Sequence, residues 1–556
     1  MKKTLKRRFS VVLAAVMAFS SIAFATTASA ASAETEASAA QSYNLPSKIE
    51  DGAILHCWCW NFQTIKENLP QIAEAGFKSI QTSPINQVKI GSTGKMTLKS
   101  TNGNNWWYQY QPTDYTIGNY MLGTEDEFKD MCNEAHKYGI KVIVDIVANH
   151  CSSDYGVISS HVKNIGGKAF HDRVEITDWS NRYQVTQGKL TGLWDLNTQN
   201  PSVQQMIVDY MTTVLSEGAD GFRFDAAKHI ELPDDDSKYA GNFWPTVLDN
   251  SAEFQYGEIL AGGERMGAYA KIMRVTAEAY GSNLQKAISK KSVSAAAVKN
   301  YRAYDESMKD IDPGRLVTWV ESHDNFCSDN SSTWKILDDK QIQQGWAIIA
   351  AQGDTTPLFF ARPKGSNTES QWGENTIGLE GNGNYYTAEV KEVNKFRNAM
   401  VGESKNIVQV VKNKVNMIER GSKGVVLVSV SDNENNVNVS TALADGEYTD
   451  KVSGAKFTVS GGKLTGKIAA GEVVVLYNSA EPEPQVLAGD LNGNGIIDVE
   501  DATILQRFLA EFKKSDGSPI VDVNDAKQFK IADANGDKKI DIQDVTAIQK
   551  IIAEFK

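Results

Sequence analysis

Between about residue 45 and residue 401, short apolar runs alternate with helix-patterned stretches, and this rhythm limits the possible folds more than anything else in the chain. The runs "AILHCWCW", "SIQTSPI", "IKVIVDIVAN", "GFRFDA", "LVTWVES" and "TPLFF" read as buried strands. Stretches such as "TEDEFKDMCNEAHKYG" and "SVQQMIVDYMTTVLSEG" lie between them. In the first, Phe128, Met131, Cys132 and Ala135 fall at helical spacing. Strands separated by helices belong to a parallel sheet, closed as a barrel or doubly wound. Residues 151–195 break the rhythm and read as an excursion from one strand–helix loop.

The texture changes at about 402. "GVVLVSVSD", "NNVNVST", "GAKFTVSGGKLTGKI" and "EVVVLYN" are short alternating strands with Gly turns, which predicts an antiparallel β-sandwich over 402–478. "SAEPEPQVLA" (479–488) reads as an extended Pro/Glu linker.

The N-terminus bears on charge and compartment. Five basic residues precede the apolar run "VVLAAVMAF" (11–19), and "ASA" follows at 28–30, the layout of a secretory signal over residues 1–30. The run is shorter than the roughly 20 residues that span a bilayer. Residues 31–44 read as a flexible leader. Loss of residues 1–30 takes the formal charge from −12 to −17. Such an acidic chain offers no basic footprint for nucleic acid and is repelled by anionic membranes. The mature chain is expected to be exported, with no membrane span and a monomeric catalytic unit. Five cysteines in 556 residues make no disulfide scaffold. Cys57 and Cys59 read as buried thiols on one face of a strand.

The segment after the linker repeats itself. "GDLNGNGIIDVEDATILQRFLAEF" from 489 returns as "ADANGDKKIDIQDVTAIQKIIAEF" from 532. Asp490, Asn492, Asn494, Asp498 and Asp501 recur as Asp533, Asn535, Asp537, Asp541 and Asp544. Oxygen donors at loop positions 1, 3, 5, 9 and 12, with the carbonyls of Ile496 and Lys539 at position 7, form a Ca2+ loop that feeds a helix. Lys538 stands where the first loop has Gly495, so the second turn is less free. Residues 489–556 resemble a dockerin, a small α-helical module with two Ca2+ ions. That resemblance implies a cohesin module of a scaffold protein as partner, chosen in part by Val499, Glu500, Ile542 and Gln543.

Four segments stand at the C-terminal ends of candidate strands: "DIVANH" (145–150), "GFRFDAAKH" (221–229), "QYGEIL" (255–260) and "WVESHDN" (319–325). In a parallel barrel these ends open onto one face, and each brings a carboxylate or a histidine to it. Paired carboxylates without a nucleophilic Ser or a zinc spacing point to glycoside hydrolysis, which needs one ionised carboxylate and one protonated acid. Arg223 and Asp225 share a strand face, so the guanidinium is expected to keep Asp225 ionised. Glu258, among Tyr256, Ile259 and Leu260, is expected to have a raised pKa that suits an acid.

On these segments, residues 50–478 resemble the secreted bacterial α-amylases, retaining α-glucan hydrolases. The resemblance implies a (β/α)8 TIM barrel with an inserted loop domain after strand 3, followed by the sandwich. It implies Asp225 as nucleophile, Glu258 as acid and base, and Asp324 as the group that holds the distorted sugar. His150 and His323 would bond that sugar, Arg223 would orient Asp225, and Lys228 and His229 would line the downstream side. One structural Ca2+ is implied at Asn149, Asp195, the carbonyl of His229 and that of Thr186. In "NNWWYQYQP", Trp106, Trp107, Tyr110 and Gln111 would face starch or a related glucan. Ser322 stands where chloride-activated members carry Asn, which leaves chloride dependence open. The shared catalytic trio leaves a transglycosylase or an α-1,6-acting enzyme as alternatives, and a non-catalytic starch-binding protein as another class.

Overall fold

A computed structural model describes residues 43–260, 265–301, 311–328, 332–478, 488–492, 497–514, 519–523 and 525–554. The expected signal, nearly all of the leader, residues 479–487 of the linker, and Asn494 and Ile496 lie outside the described residues. The chain divides into two compact units after Tyr477.

In the first unit, eight parallel strands among the described residues close a barrel. They are β1 (Ile54–Cys57), β2 (Ser79–Thr82), β3 (Lys141–Ile146), β4 (Gly221–Phe224), β5 (Phe254–Gly257), β6 (Arg274–Thr276), β7 (Leu316–Thr318) and β8 (Thr356–Phe360). Each pairs with the next, and β8 pairs with β1. Ile54, Ile143, Phe254, Tyr256, Val317 and Leu358 form a buried cluster of their own, as side chains from several strands must to fill a barrel. Three-residue β6 ("RVT") was not among the expected strands, because it is too short to stand out as an apolar run.

The helices begin where their caps direct. Thr124 and Glu127 form a reciprocal capping box, and the helix Glu125–Lys137 then buries Phe128, Met131, Cys132 and Ala135. Asn200 caps the helix Pro201–Ser216, with proline in its first turn. The excursion leaves β3 through His150–Cys151 and returns through Trp194–Asp195, and these two dipeptides pair antiparallel. Cys57 ends β1, but Cys59 lies beyond it at φ 61°. The pair therefore does not share a strand face, because the chain has already turned. All five cysteines are unbridged.

The sandwich strands are β9 (Lys405–Val411), β10 (Val415–Arg420), β11 (Gly424–Ser429), β12 (Asn435–Ser440), β13 (Gly446–Thr449), β14 (Lys456–Ser460), β15 (Lys463–Ile468) and β16 (Val473–Tyr477). They form two antiparallel sheets, ordered β9-β10-β11-β16 and β12-β15-β14-β13. Val415, Leu427, Phe457, Leu464 and Val474 meet in their common core.

In the second unit, helices Val499–Leu509, Ala526–Ala532 and Ile542–Glu554 enclose Leu505, Val521, Val545 and Ile548. Among the described residues, no helix is long and apolar enough to cross a membrane.

Candidate active site

The C-terminal ends of the barrel strands converge on one guanidinium. Arg223 of β4 is 4% exposed and lies opposite Asp145 of β3 in the sheet register. Its Nη1 donates to both Asp145 oxygens at 2.6 Å and to Asp225 Oδ1 at 3.2 Å. Its Nη2 lies 2.9 Å from Glu258 Oε1. Asp225 and Glu258 directly follow β4 and β5, so the strand ends themselves position them. Ala226 turns the chain at φ 49°, and its N–H donates to Glu258 Oε2 at 3.1 Å. Asp324 sits in the first turn of the short helix His323–Cys327 after β7, with 43% of its side chain exposed, and lines the cleft.

Three carboxyls gathered on one cation, with Asp324 beside them, cannot all ionise cheaply out of water. Burial pushes Asp145 up to about 6, against the pull of Arg223. Burial also carries Asp225 well above the usual carboxylate range, with Arg223 opposing and Glu258 assisting. Asp324 rises through desolvation and then through Glu258. Glu258 goes the other way. Burial disfavours its charge, but Arg223, His323, the Ala226 N–H and a hydrogen bond from Asp324 hold it below the ordinary range. The two directions run opposite to those expected from the sequence neighbours, with Asp225 raised and Glu258 lowered. Glu258 has the closer contact with Arg223, and Asp145 occupies the guanidinium that Asp225 was expected to claim.

The aromatic segment forms the opposite wall. Residues Trp106–Tyr110 make a 3-10 turn. Tyr110 donates its hydroxyl to Asp145 Oδ2 at 3.0 Å, and its ring stacks on His323 at 5.3 Å and 7°. His150 Nε2 donates to the Tyr110 carbonyl at 3.1 Å, and Asn149 donates to His150 Nδ1 at 3.3 Å. Burial lowers His150 to about 4 and His323 to about 3, so both rings are neutral. A cleft of about 450 Å³ opens between Trp106, Trp107, Tyr110 and Gln111 on one side and Asp225, His323 and Asp324 on the other.

Lys228 and His229 are not among the walls of this cleft. They lie in the turn Ala227–His229 beneath Trp179 of the excursion. Sequence reasoning left Asp145, His56 and Trp58 without roles. Asp145 was quoted in "DIVANH", and its register opposite Arg223 was the usable signal. His56 and Trp58 are buried against His323 at 5.4 and 6.4 Å, and their strand pattern looked purely structural.

The expected structural Ca2+ site is partly assembled. The ladder of His150–Cys151 with Trp194–Asp195 brings Asn149 close to Asp195, and Asn149 hydrogen-bonds its carboxylate. His229 Nδ1 bonds the Val185 carbonyl at 2.8 Å, which brings His229 beside Thr186. Asp195 is 5% exposed, and burial drives its carboxyl well above the ordinary range. Its other partner is His171 at 2.7 Å, whose own pKa burial lowers to about 4. A buried carboxylate among neutral groups is what a bound divalent cation would complete, so the donor set fits calcium. His171, alone in a loop without a pattern, gave no signal in the sequence.

The tail loops also fit. Asp533 Oδ1 is buried without a partner at position 1 of its loop. At position 12, Asp501 accepts from the backbone N–H groups of Leu491, Asn492 and Asp498, and Asp544 from those of Asn535 and Asp541. Lys538 makes its turn at φ 67°, in the left-handed region a glycine would adopt more cheaply.

These features define a (β/α)8 barrel protein with a carboxylate-centred cleft at the C-terminal mouth of its strands. The family model "Alpha amylase, catalytic domain" matches residues 51–187 and 175–328, and the chain belongs to that family. "Dockerin type I domain" matches residues 488–553. An alpha-amylase of Butyrivibrio fibrisolvens is 39% identical over 487 residues, covering 81% of this chain and 50% of that protein. One from Clostridium acetobutylicum is 38% identical over 448 residues, covering 78% and 55%. The chain thus spans about half the length of these curated relatives. The crystal structure of wild-type alpha-amylase I from Eisenia fetida superposes with a TM-score of 0.63. At 19% identity over 78% of this chain and 97% of that one, it speaks for the fold alone.

Proposed function

We propose that this chain is an endo-acting α-amylase that hydrolyses α-1,4 bonds of starch with retention of configuration. The observation that carries this reading is the contact of one guanidinium with both Asp225 and Glu258, beside Asp324 and across from an aromatic wall. Two carboxyls flanking a bond, one to attack and one to protonate, are what the reaction requires. Asp225 attacks the anomeric carbon, while Glu258 gives a proton to the leaving oxygen and then takes one from water. His150, His323 and Asp324 bind the hydroxyls of the ring under attack.

The pairing of Asp324 with Glu258 has a place in this scheme. Asp324 hydrogen-bonds to Glu258, so the proton that Glu258 must donate already lies beside it. When sugar hydroxyls donate to Asp324, they favour its ionised form and drive that proton to Glu258. Arg223 then keeps Asp225 charged. The calcium that Asn149, Asp195, His229 and Thr186 would hold supplies structural charge compensation between barrel and excursion.

Incubation with soluble starch, with products resolved by length and by anomer, tests the reading. Short α-anomeric maltooligosaccharides are expected. Longer transfer products or exclusive release of branches would replace it with one of its relatives.

The tail is proposed to dock a cohesin module outside the cell. Val499 and Ile542, in equivalent positions of the two repeats, are 67% and 63% exposed at the starts of their helices. Calorimetry with purified cohesins, with and without calcium, tests this.

A further inference from the structure

Asp324 is carried by a helix of five residues, His323–Cys327, far shorter than a helix that holds itself in water. Its direction is set from outside. Glu321, just before the Ser322 cap, is 3% exposed and is not among the walls of the cleft. Its carboxylate meets Arg362, equally buried, in the segment after β8. Arg362 Nε donates to Glu321 Oε2 at 2.7 Å, and its Nη2 donates to Oε1 at 2.9 Å. Two parallel bonds of this kind fix a plane as well as a distance. Thr333 Oγ1 also donates to Glu321, and Arg362 Nη1 donates to the Leu337 carbonyl at 3.0 Å. The same guanidinium lies over the Phe326 ring, 5.7 Å from its centre. Further along the segment after β8, Gln371 Nε2 donates to the Phe326 carbonyl at 2.8 Å. The short helix is therefore held both at its approach and on its own body by the segment that follows β8.

A buried ion pair is a poor source of net stability, because desolvation offsets most of its attraction. What it supplies that apolar packing does not is orientation. The group that needs orientation here is Asp324, which lines the cleft three residues after Glu321. In the function proposed above, on which this inference rests, Asp324 binds the hydroxyls of the ring under attack. A misplacement of about 1 Å at such a contact costs a rate roughly 100-fold. We propose that Glu321 and Arg362 are positioning residues that set the approach of Asp324 to that ring. The pair touches no sugar and acts through Asp324. It also makes the segment after β8 a structural determinant of the site, although none of the catalytic groups lies on it.

The test is a double-mutant cycle on the full-length chain with α-maltotriosyl fluoride, whose good leaving group keeps weak variants measurable. Glu321→Gln is expected to lower kcat roughly 30-fold, with KM within about threefold. In an Asp324→Asn background the same change should cost less than about twofold, because the group it positions is already lost. Arg362→Lys keeps the charge but not the paired bonds, so it should follow the same pattern, and it carries the cycle if Glu321→Gln fails to give a cooperative urea transition. Equal losses in both backgrounds, or no loss in the presence of Asp324, would overturn the positioning role. A wild-type chain that turns over neither the fluoride nor maltoheptaose would overturn the hydrolase reading itself.

Discussion

Arg223 and Glu258 are joined at 2.9 Å across the ends of adjacent strands, and this contact helps hold the residue proposed as acid below the ordinary carboxylate range. Burial raises its neighbours Asp324 and Asp225 instead, and Asp324 shares a hydrogen bond with Glu258. The cluster therefore titrates as a unit, and its pH limbs belong to the set rather than to single residues.

Asp225→Asn keeps the shape of the cleft and removes the attacking oxygen. Hydrolysis of soluble starch should fall by about 10⁴-fold or more while glucan binding persists. Steady-state rates and affinity electrophoresis in starch gels measure the two separately. Cleavage at the wild-type rate would mean that another group is the nucleophile.

Arg223→Gln strands Asp145, Asp225 and Glu258 without their shared cation. Breaking a buried pair from one side costs roughly 3–5 kcal/mol, so urea unfolding of the catalytic unit should show a loss of that order. A loss below about 1 kcal/mol would mean that the cluster is already protonated at neutral pH.

His323 is lowered to about 3 by burial, followed by the charge of Arg223. Its folded value lies below the unfolded value of about 6.5. The stability it contributes is therefore fully present above pH 6.5 and lost as pH falls from there toward 3. His150 acts in the same sense, with a folded value of about 4. The stability of wild type relative to His323→Gln should decline across that window. Parallel Tm-against-pH curves for the two proteins would contradict the assignment.

Removal of calcium should lower the Tm of the barrel unit and reduce activity, because Asp195 then lies buried among neutral partners. Asp195→Asn should reduce the difference between calcium-loaded and chelated protein. Indifference of both Tm and rate to a chelator would exclude the site.

Truncation after residue 480 should leave hydrolysis of soluble starch within about twofold and abolish capture by a cohesin, since the chain divides into compact units after Tyr477. For the isolated tail, circular dichroism should show helix gained on calcium addition. Asp501→Ala together with Asp544→Ala should prevent that gain.

Much of this was legible because barrel chemistry sits at strand ends, where an apolar run stops and a polar cluster begins. "GFRFDAAKH" and "WVESHDN" carry both signals in a few letters, so Asp225 and Asp324 could be found without coordinates. The duplicated loops were legible for another reason: ligand spacing in a tight turn is set by the chain itself. What escaped depends on contacts between distant segments. Asp145 gained its meaning only by register with Arg223. The direction of the Glu258 shift was misjudged because its apolar sequence neighbours were visible, while the guanidinium from the adjacent strand and the N–H of Ala226 were not. The face of Cys59 was lost to a single left-handed residue, and β6 to its three-residue length.

The two-residue ladder that pairs His150–Cys151 with Trp194–Asp195 closes the excursion at its neck. Chain between those dipeptides can lengthen, shorten or be exchanged without disturbing the register of β3 and β4, and loop-closure entropy charges little for added length. The barrel therefore carries a variable part on a fixed socket. Changes in what the cleft prefers can accumulate in excursion residues that line it, such as Thr191 and Leu193, while the acids stay where the strands put them. A graft of a homologous excursion cut at this neck is thus the natural unit of exchange for altering the cleft.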